Sequence, residues 1–199
     1  SLYNSGSPAS SVTTINLGAI AYYPLGEQAQ NTGYLGNEIT NGWQFPNGVL
    51  QDYVMDFDGS NDSINCGNSS NLQFQPTTDS FTLSAWIKID SLTGTDISNF
   101  ISNRQWLTSP YEGYNFGVRS SGGSNVLEFT FYSNGASNKF RSVSNLSYNT
   151  WYHAMITYDN TQSSVVNKYK IYLNGASQTL TTVSSSALSS FTYASNFRI

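Results

Sequence analysis

The fold of this protein is indicated best by one alternating stretch of sequence, Phe81-Thr82-Leu83-Ser84-Ala85-Trp86-Ile87-Lys88-Ile89. Its odd-numbered residues are all hydrophobic, and its even-numbered residues are polar except for Trp86. Because successive side chains of a β-strand point to opposite faces of a sheet, this pattern predicts a strand with one buried face. The odd-numbered residues are expected to face the core, and the even-numbered ones to face away from it.

Short patterns of the same kind recur on both sides of this stretch, with no helical periodicity between them. Asn134-Gly135 and Asn174-Gly175 predict tight hairpin turns, because Asn and Gly tolerate the positive φ that such turns need. Gly122-Gly123 is also interpreted as a turn. Many short strands separated by turns predict an all-β sandwich. Strands are expected at residues 19–25, 53–57, 63–66, 81–89, 99–102, 114–119, 126–132, 139–144, 151–158, 167–173 and 177–183.

Composition narrows the range of functions. Charged residues make up 10% of the chain, against about 25% in an average protein, and 8 basic and 12 acidic residues leave a formal charge of −4. The sequence has no basic stripe, which argues against nucleic-acid binding. No apolar run approaches the roughly 20 residues that cross a bilayer, so membrane insertion is not expected. Cys66 is the one cysteine and is predicted to be a buried, inert thiol.

Four blocks of sequence carry a family resemblance: VMDFDGSND at 54–62, SFTLSAWIK at 80–88, NTWYHAMITYD at 149–159 and KIYLNG at 170–175. Together they resemble laminin-G-like jelly-roll domains of the concanavalin A-like lectin/glucanase superfamily, of the type repeated in structural proteins of marine bacteriophages. The resemblance implies a two-sheet antiparallel jelly-roll sandwich over residues 19–199. It also implies other subunits of a larger assembly as partners, at an extracellular or virion surface.

Two functions are compatible with this resemblance. One is a non-catalytic module that binds a glycan or another cell-surface ligand for adhesion. The alternative is a purely structural domain of a viral fibre, capsid decoration or appendage. The resemblance further suggests that residues 1–18 are a linker or the tail of a preceding similar domain, and that the sandwich lacks its closing strands. The polypeptide is therefore expected to continue beyond Ile199, or a partner to supply the missing strand.

The sequence lacks the arrangement of acidic residues that glycoside hydrolysis uses in this superfamily. That reaction needs a pair of carboxylates, which the glucanases place at alternate positions of one strand. No such run exists here, and Glu128, within a predicted strand, is interpreted as a lone solvated residue. His153 is the one histidine and is interpreted as a packed structural residue. The chain is therefore predicted not to be an enzyme and to require no cofactor.

The sequence neither requires nor excludes a calcium site. The ion takes six to eight oxygen ligands, and one predicted turn holds such oxygens on Asp56, Asp58, Asn61 and Asp62. These residues are candidate calcium ligands. The alternative is that Asp58 and Asp62 only cap the hairpin turn.

Aromatic side chains in loops are the candidate sugar contacts, because rigid scaffolds often carry binding residues on their loops. The candidates lie within or beside predicted loops and mix aromatic with acidic groups: Trp43, Trp106, Tyr111, Glu112 and Tyr114. The alternative is that these aromatic residues cover the core. Trp86 and Trp151 lie in predicted strands and are expected to belong to the core. If Trp151 is buried, its replacement by alanine should cost about 3–5 kcal/mol.

Overall fold

The computed structural model describes residues 3–4, 7–8, 56–57, 62–92, 97–105 and 111–199. The chain divides into two compact units, Ser1–Cys66 and Gly67–Ile199. In the first unit, strand β1 (Tyr3–Asn4) pairs with β2 (Ser7–Pro8) in an antiparallel arrangement. Cys66 is buried, as predicted.

The second unit contains two antiparallel sheets. The four-stranded sheet has the order β10-β9-β8-β3, and the five-stranded sheet has the order β11-β7-β6-β5-β4. The prediction of an all-β antiparallel sandwich is confirmed. The strands are β3 (Phe81–Lys88), β4 (Ile97–Ser102), β5 (Gly113–Ser121), β6 (Ser124–Ser133), β7 (Ala136–Ser142), β8 (Trp151–Tyr158), β9 (Tyr169–Leu173), β10 (Ala176–Ser177) and β11 (Leu180–Ser184).

Two-residue turns join three pairs of neighbouring strands. Gly122-Gly123 joins β5 to β6, Asn134-Gly135 joins β6 to β7, and Asn174-Gly175 joins β9 to β10. Both residues of each turn have positive φ, the conformation that matches the twist of a hairpin. All three turn predictions are confirmed. Because these loops are so short, they fix which residues face each other across β5, β6 and β7.

Phe81 joins the two sheets. Its ring stacks on Phe74 at 4.4 Å and lies 5.8 to 6.1 Å from Tyr114, Phe129 and Phe131 of the five-stranded sheet. Leu83 and Ile87 on the same face of β3 are also buried, whereas Thr82, Ser84 and Lys88 are exposed. The alternation predicted for this strand is therefore confirmed, and its hydrophobic face forms part of an aromatic core.

The expected strand at 177–183 is divided between the two sheets. Ala176 and Ser177 pair with β9 in one sheet, and the chain then crosses so that β11 pairs with β7 in the other. The backbone of Gln178 donates a hydrogen bond to Ile171, and Val143 donates one to Thr179, so each side of the crossing is anchored. Local alternation alone does not reveal such a crossing.

Three of the other strand predictions are not confirmed. Residues 63–66 do not form the predicted strand, although Asn65 carries a single β-bridge. The predicted strand at 19–25 lies outside the described residues, as does most of the predicted strand at 53–57.

The prediction that Trp86 and Trp151 belong to the core is wrong. The core side of β8 is occupied by Ala154, Ile156 and Tyr158, so Trp151 points outward and is 37% exposed. Trp86 is half-buried on the same outer face, where its ring lies 5.5 Å from His153. His153 is thus packed against an aromatic ring, as expected for a structural histidine.

Candidate ligand groove

A groove of about 360 Å³ lies on the outer face of the five-stranded sheet. Small-molecule sites typically occupy roughly 300–1,000 Å³, so the groove can hold a ligand of one or two sugar rings. We call it the basic groove. Its described lining residues are Ile97, Asn99, Arg104, Asn115, Arg119, Glu128, Thr130, Tyr132 and Lys139.

Strand alternation explains why polar side chains line this face. On β5 the even-numbered residues from Tyr114 to Val118 are buried in the core, so Asn115 and Arg119 point outward. On β6 the odd-numbered residues from Leu127 to Phe131 are hydrophobic and lie in the core, whereas Glu128, Thr130 and Tyr132 line the groove, the first two with only 1% of the side chain exposed. The core and the groove are therefore built from alternate positions of the same two strands.

Gly117 lies on the outer face between Asn115 and Arg119, and β4 passes close to it. A Cβ atom at Gly117 would lie 2.3 Å from the backbone oxygen of Ser98, closer than any real contact. The register between β4 and β5 also shifts at this point, between Asn99 and Ile101. Glycine is required here because the β4 backbone occupies the space that a side chain would fill.

Glu128 is buried between two arginines, which corrects the prediction that it is a solvated residue. Its side chain is 1% exposed. The Nε of Arg141 donates a hydrogen bond of 2.6 Å to Glu128 Oε2, and the Nε of Arg119 lies 2.8 Å from the same oxygen as an ion pair. The register of β6 and β7 places Arg141 directly opposite Glu128. Burying this carboxylate is tolerated because two cations share its charge.

The described part of the groove does not assemble the carboxylate pair of a glycosidase. Such enzymes hold two carboxyl groups about 5–9.5 Å apart across the scissile bond. Glu128 is the one carboxylate among the described lining residues, and both of its neighbours named above are cations.

Asn115 brings an unsatisfied acceptor to the groove. Its side chain is fully buried, and its Nδ2 donates a 2.9 Å hydrogen bond to Asn99 Oδ1. Its own Oδ1 is buried without a hydrogen-bond partner. Leaving such an atom unpaired costs about 1–3 kcal/mol, and its burial keeps it out of reach of a ligand in the groove.

Arg104 and Tyr132 form a cation–π pair in the groove lining, which we call the platform. The guanidinium carbon lies 3.5 Å from the centre of the Tyr132 ring, a cation–π contact. The Arg104 Nε donates to the backbone oxygen of Tyr111 at 3.4 Å. Burial lowers the pKa of Arg104 from its ordinary value, and the neighbouring Tyr132 and Glu128 oppose that shift. Arginine titrates so far above neutral pH that the group stays protonated.

Two of the residues predicted to contact sugar lie beside Arg104. Tyr111 is 42% exposed, and Glu112 is half-buried. The backbone of Gln105 donates a 2.9 Å hydrogen bond to the oxygen of Glu112, which brings both residues next to the platform. Trp43 and Trp106 lie outside the described residues.

Tyr114 does not lie at the surface. It is completely buried, its hydroxyl donates a 2.8 Å hydrogen bond to the backbone oxygen of Leu72, and its ring contacts Phe74 and Phe81. The strand period places Tyr114 on the core side of β5, so a sugar cannot reach its ring. Tyr114 is therefore a core residue rather than a ligand contact.

The candidate calcium ligands are only partly described. Asp56 and Asp62 are exposed, whereas Asp58 and Asn61 lie outside the described residues. Among the residues that the structure describes, no three His, Cys, Asp or Glu side chains cluster as a metal site would require. Calcium binding at this turn stays a prediction.

None of the described lining residues was among the sequence-based candidates. The signal that could have found them is the pair of two-residue turns flanking β6. Given these turns, the strand period places Glu128 opposite Arg141 and Thr130 opposite Lys139 on one face. Aromatic residues in loops do not lead to this face, because all of its described lining residues except Arg104 lie within strands.

Comparison with known proteins agrees with the architecture. A sequence profile described as the concanavalin A-like lectin/glucanases superfamily matches residues 57–199, more than two thirds of the chain. The chain belongs to this superfamily. No curated protein shows significant similarity to it. The superfamily match covers all the described residues of the basic groove, from Ile97 to Lys139. Within the described ranges, no helix has the length and hydrophobicity to span a membrane.

Proposed function

We propose that this protein is a non-catalytic adhesion module that binds carbohydrate in the basic groove. The observation that carries the proposal is the groove itself, whose lining includes the exposed side chain of Asn99 and the half-buried side chains of Tyr132 and Lys139. Membership of a superfamily that includes lectins supports the same reading.

The chemistry of the lining suits a polyhydroxylated ligand. Asn99 on β4 and Tyr132 on β6 offer amide and hydroxyl groups at positions that a ligand can reach. The Tyr132 ring adds an aromatic surface beside Arg104. Sugar hydroxyls donate and accept hydrogen bonds, so they can satisfy such groups simultaneously. A rigid sheet also keeps the ordering cost of binding low.

The module belongs, in this proposal, to a larger protein exposed at an extracellular or virion surface. The support is the resemblance to repeated domains of phage structural proteins, together with a surface kept polar by Ser, Asn and Thr rather than by charge. Calcium at Asp56, Asp58, Asn61 and Asp62 is proposed as an optional ligand and is tested in the same experiment.

The test is a glycan array probed with the whole chain, once in calcium and once in chelator. We expect binding to a defined set of glycans. The matched variants are Tyr132→Phe, which removes one groove hydroxyl with little change of shape, and Tyr172→Phe on β9 of the other sheet, where the side chain is likewise half-buried. Loss of one hydrogen bond should weaken binding about three- to tenfold for the first variant and leave the second unchanged.

Each outcome bears on the proposal. If no glycan is retained, or if both tyrosine variants bind equally well, the groove is not a carbohydrate site. Binding that disappears in chelator would support the calcium ligands. Binding that survives chelator would remove calcium from the proposal and leave the groove.

A further inference from the structure

We propose that the basic groove selects acidic saccharides, with Lys139 and Arg104 receiving a carboxylate or sulfate group on the sugar. This inference rests on the proposed carbohydrate binding and specifies its ligand class. It follows from the distribution of charge on the outer face of the five-stranded sheet.

Positive charge is concentrated on this face. The chain has 8 basic residues and a net charge of −4. Four of the 8 lie in or beside the groove: Arg104, Arg119, Lys139 and Arg141. Among the described lining residues themselves, three cations face one carboxylate, Glu128, which is a local excess of two positive charges. An acidic protein that gathers half of its cations around one groove provides a favourable field for an anion there.

The cations fall into two sets. Arg119 and Arg141 are held by the buried carboxylate of Glu128, so their positions are fixed by the sheet. Lys139 lies opposite Thr130 on β7, and its Nζ forms no ion pair or hydrogen bond with any residue that the structure describes. It is therefore the cation best placed to reach an incoming oxyanion. The first set keeps the field positive around it.

Arg104 provides a second contact of a different kind. It lies flat on the Tyr132 ring, and Tyr132 and Thr130 point to the same face of β6. Burial lowers the pKa of Arg104, which means that the site disfavours its charge. A ligand anion nearby would offset that effect, and guanidinium groups pair well with planar carboxylates and with sulfates.

The groove also offers hydrogen-bond partners to a sugar ring. The side chain of Asn99 is exposed and that of Tyr132 is half-buried, so a ligand can reach both. A sugar ring that carries an acidic group supplies hydroxyls for these residues and an oxyanion for the cations. The two observations together favour an acidic saccharide over a bare anion or a neutral sugar.

The experiment compares ligands that differ only in charge. Binding of the whole chain is measured by calorimetry to polygalacturonate and to its methyl ester, and to a sulfated galactan and its desulfated form. We expect one acidic member of a pair to bind about ten- to hundredfold more tightly than its neutral counterpart, the effect of a charged hydrogen bond. The pair that responds identifies carboxylate or sulfate as the preferred group.

Variants connect the effect to the groove. Lys139→Gln should lose about tenfold in affinity for the acidic ligand, whereas Lys139→Arg should retain it within about threefold, because the charge remains. Lys170→Gln is the matched control, since Lys170 is an exposed lysine on β9 of the other sheet. Thermal unfolding midpoints of all three variants verify that each is folded.

The outcomes separate this inference from the function on which it rests. Equal binding of acid and methyl ester, and of the sulfated and desulfated galactans, would overturn the acidic preference and leave carbohydrate binding intact. Failure of every saccharide would overturn both. Equally tight binding to polyglutamate would show a response to charge without a sugar and would also overturn the inference. Acidic binding unaffected by Lys139→Gln would remove the assigned contact.

Discussion

At the residue scale, the ion triad of Glu128, Arg119 and Arg141 is the most consequential arrangement on the five-stranded sheet. A buried carboxylate with two cations is stable only as a complete set, because removal of one member leaves an uncompensated buried charge. The triad therefore contributes to the groove, and the stability of the folded protein depends on all three of its residues.

The first prediction concerns this carboxylate. Glu128→Gln keeps the shape of the side chain but removes its negative charge, which leaves Arg119 and Arg141 close together without a shared counterion. We expect the free energy of unfolding to fall by about 3 kcal/mol, measured by urea denaturation. The control is Asp90→Asn, whose ion pair with Lys88 spans 3.7 Å between exposed groups and should contribute less than about 1 kcal/mol. Similar losses for both variants would contradict the role assigned to the triad.

The second prediction concerns His153, whose burial lowers its pKa below the ordinary value of 6.5. In the unfolded chain the imidazole takes up its proton near that value, so as pH falls the unfolded state is protonated first. The stability that the neutral ring contributes is present above pH 6.5 and is lost as pH falls through the lower folded-state pKa. Since this is the one histidine in the chain, the effect can be isolated.

The measurement is a proton NMR titration of the His153 ring in the folded protein, with a midpoint expected below 6.5. Trp86→Ala provides a check, because removing the indole that lies 5.5 Å away should expose the ring and move its pKa back toward 6.5. A folded-state midpoint at or above 6.5 would refute the assignment.

At the element scale, the hairpins of β5, β6 and β7 set the register on which both core and groove depend. The Gly122-Gly123 turn has the same pattern of positive φ as the two Asn-Gly turns, at 61° and 82°. A Cβ atom at Gly122 would meet nothing within 4 Å. The backbone there is therefore suited to asparagine, which tolerates positive φ.

The third prediction follows from that similarity. Gly122→Asn should be neutral or should stabilise the protein by up to about 1 kcal/mol, because it restricts the unfolded chain without straining the turn. Gly117→Ala is the contrasting variant, since its Cβ would collide with the β4 backbone and should cost about 1–3 kcal/mol. Urea denaturation of both variants tests the pair, and a loss of more than 1 kcal/mol for Gly122→Asn would contradict the turn assignment.

At the scale of the whole molecule, the two sheets of the second unit are held together by aromatic contacts. Tyr158 and Tyr169 of the four-stranded sheet contact Phe131, Phe129 and Phe140 of the other sheet. Burial raises the pKa of Tyr158 to about 12, so this hydroxyl stays protonated at neutral pH and can donate to the backbone oxygen of Pro76.

The fourth prediction tests which aromatic residues carry the sandwich. Phe81→Ala should cost about 3–5 kcal/mol in unfolding free energy, because it opens a cavity where rings from both sheets meet. Trp151→Ala removes a larger side chain, but one exposed on the outer face, and should cost clearly less. A greater loss for Trp151→Ala than for Phe81→Ala would show that the outer face, and not the inner one, stabilises the fold.

The sequence by itself determined the strands that alternate clearly and the turns between them. The period of β3 and the Asn-Gly pairs depend on residues adjacent in the chain, and such local preferences can be inferred without knowledge of any distant contact. The period of β8 places His153 on the same face as Trp151 and Met155. The expectation that Trp151 is buried was wrong, because hydrophobicity alone does not say which face of the strand the second sheet covers.

Only the tertiary structure decided how separate strands combine. In the sequence Glu128 stands alone as an acidic residue. In the folded protein it belongs to a buried ion triad, because β5 and β7 bring arginines to its two sides. In the sequence Tyr114 is an aromatic residue beside a predicted loop, but the pairing of β5 with β6 places it in the core. The crossing between β10 and β11, and the groove itself, depend in the same way on contacts between residues far apart in sequence. Such contacts are set by packing and register across the sheets, which no local pattern encodes.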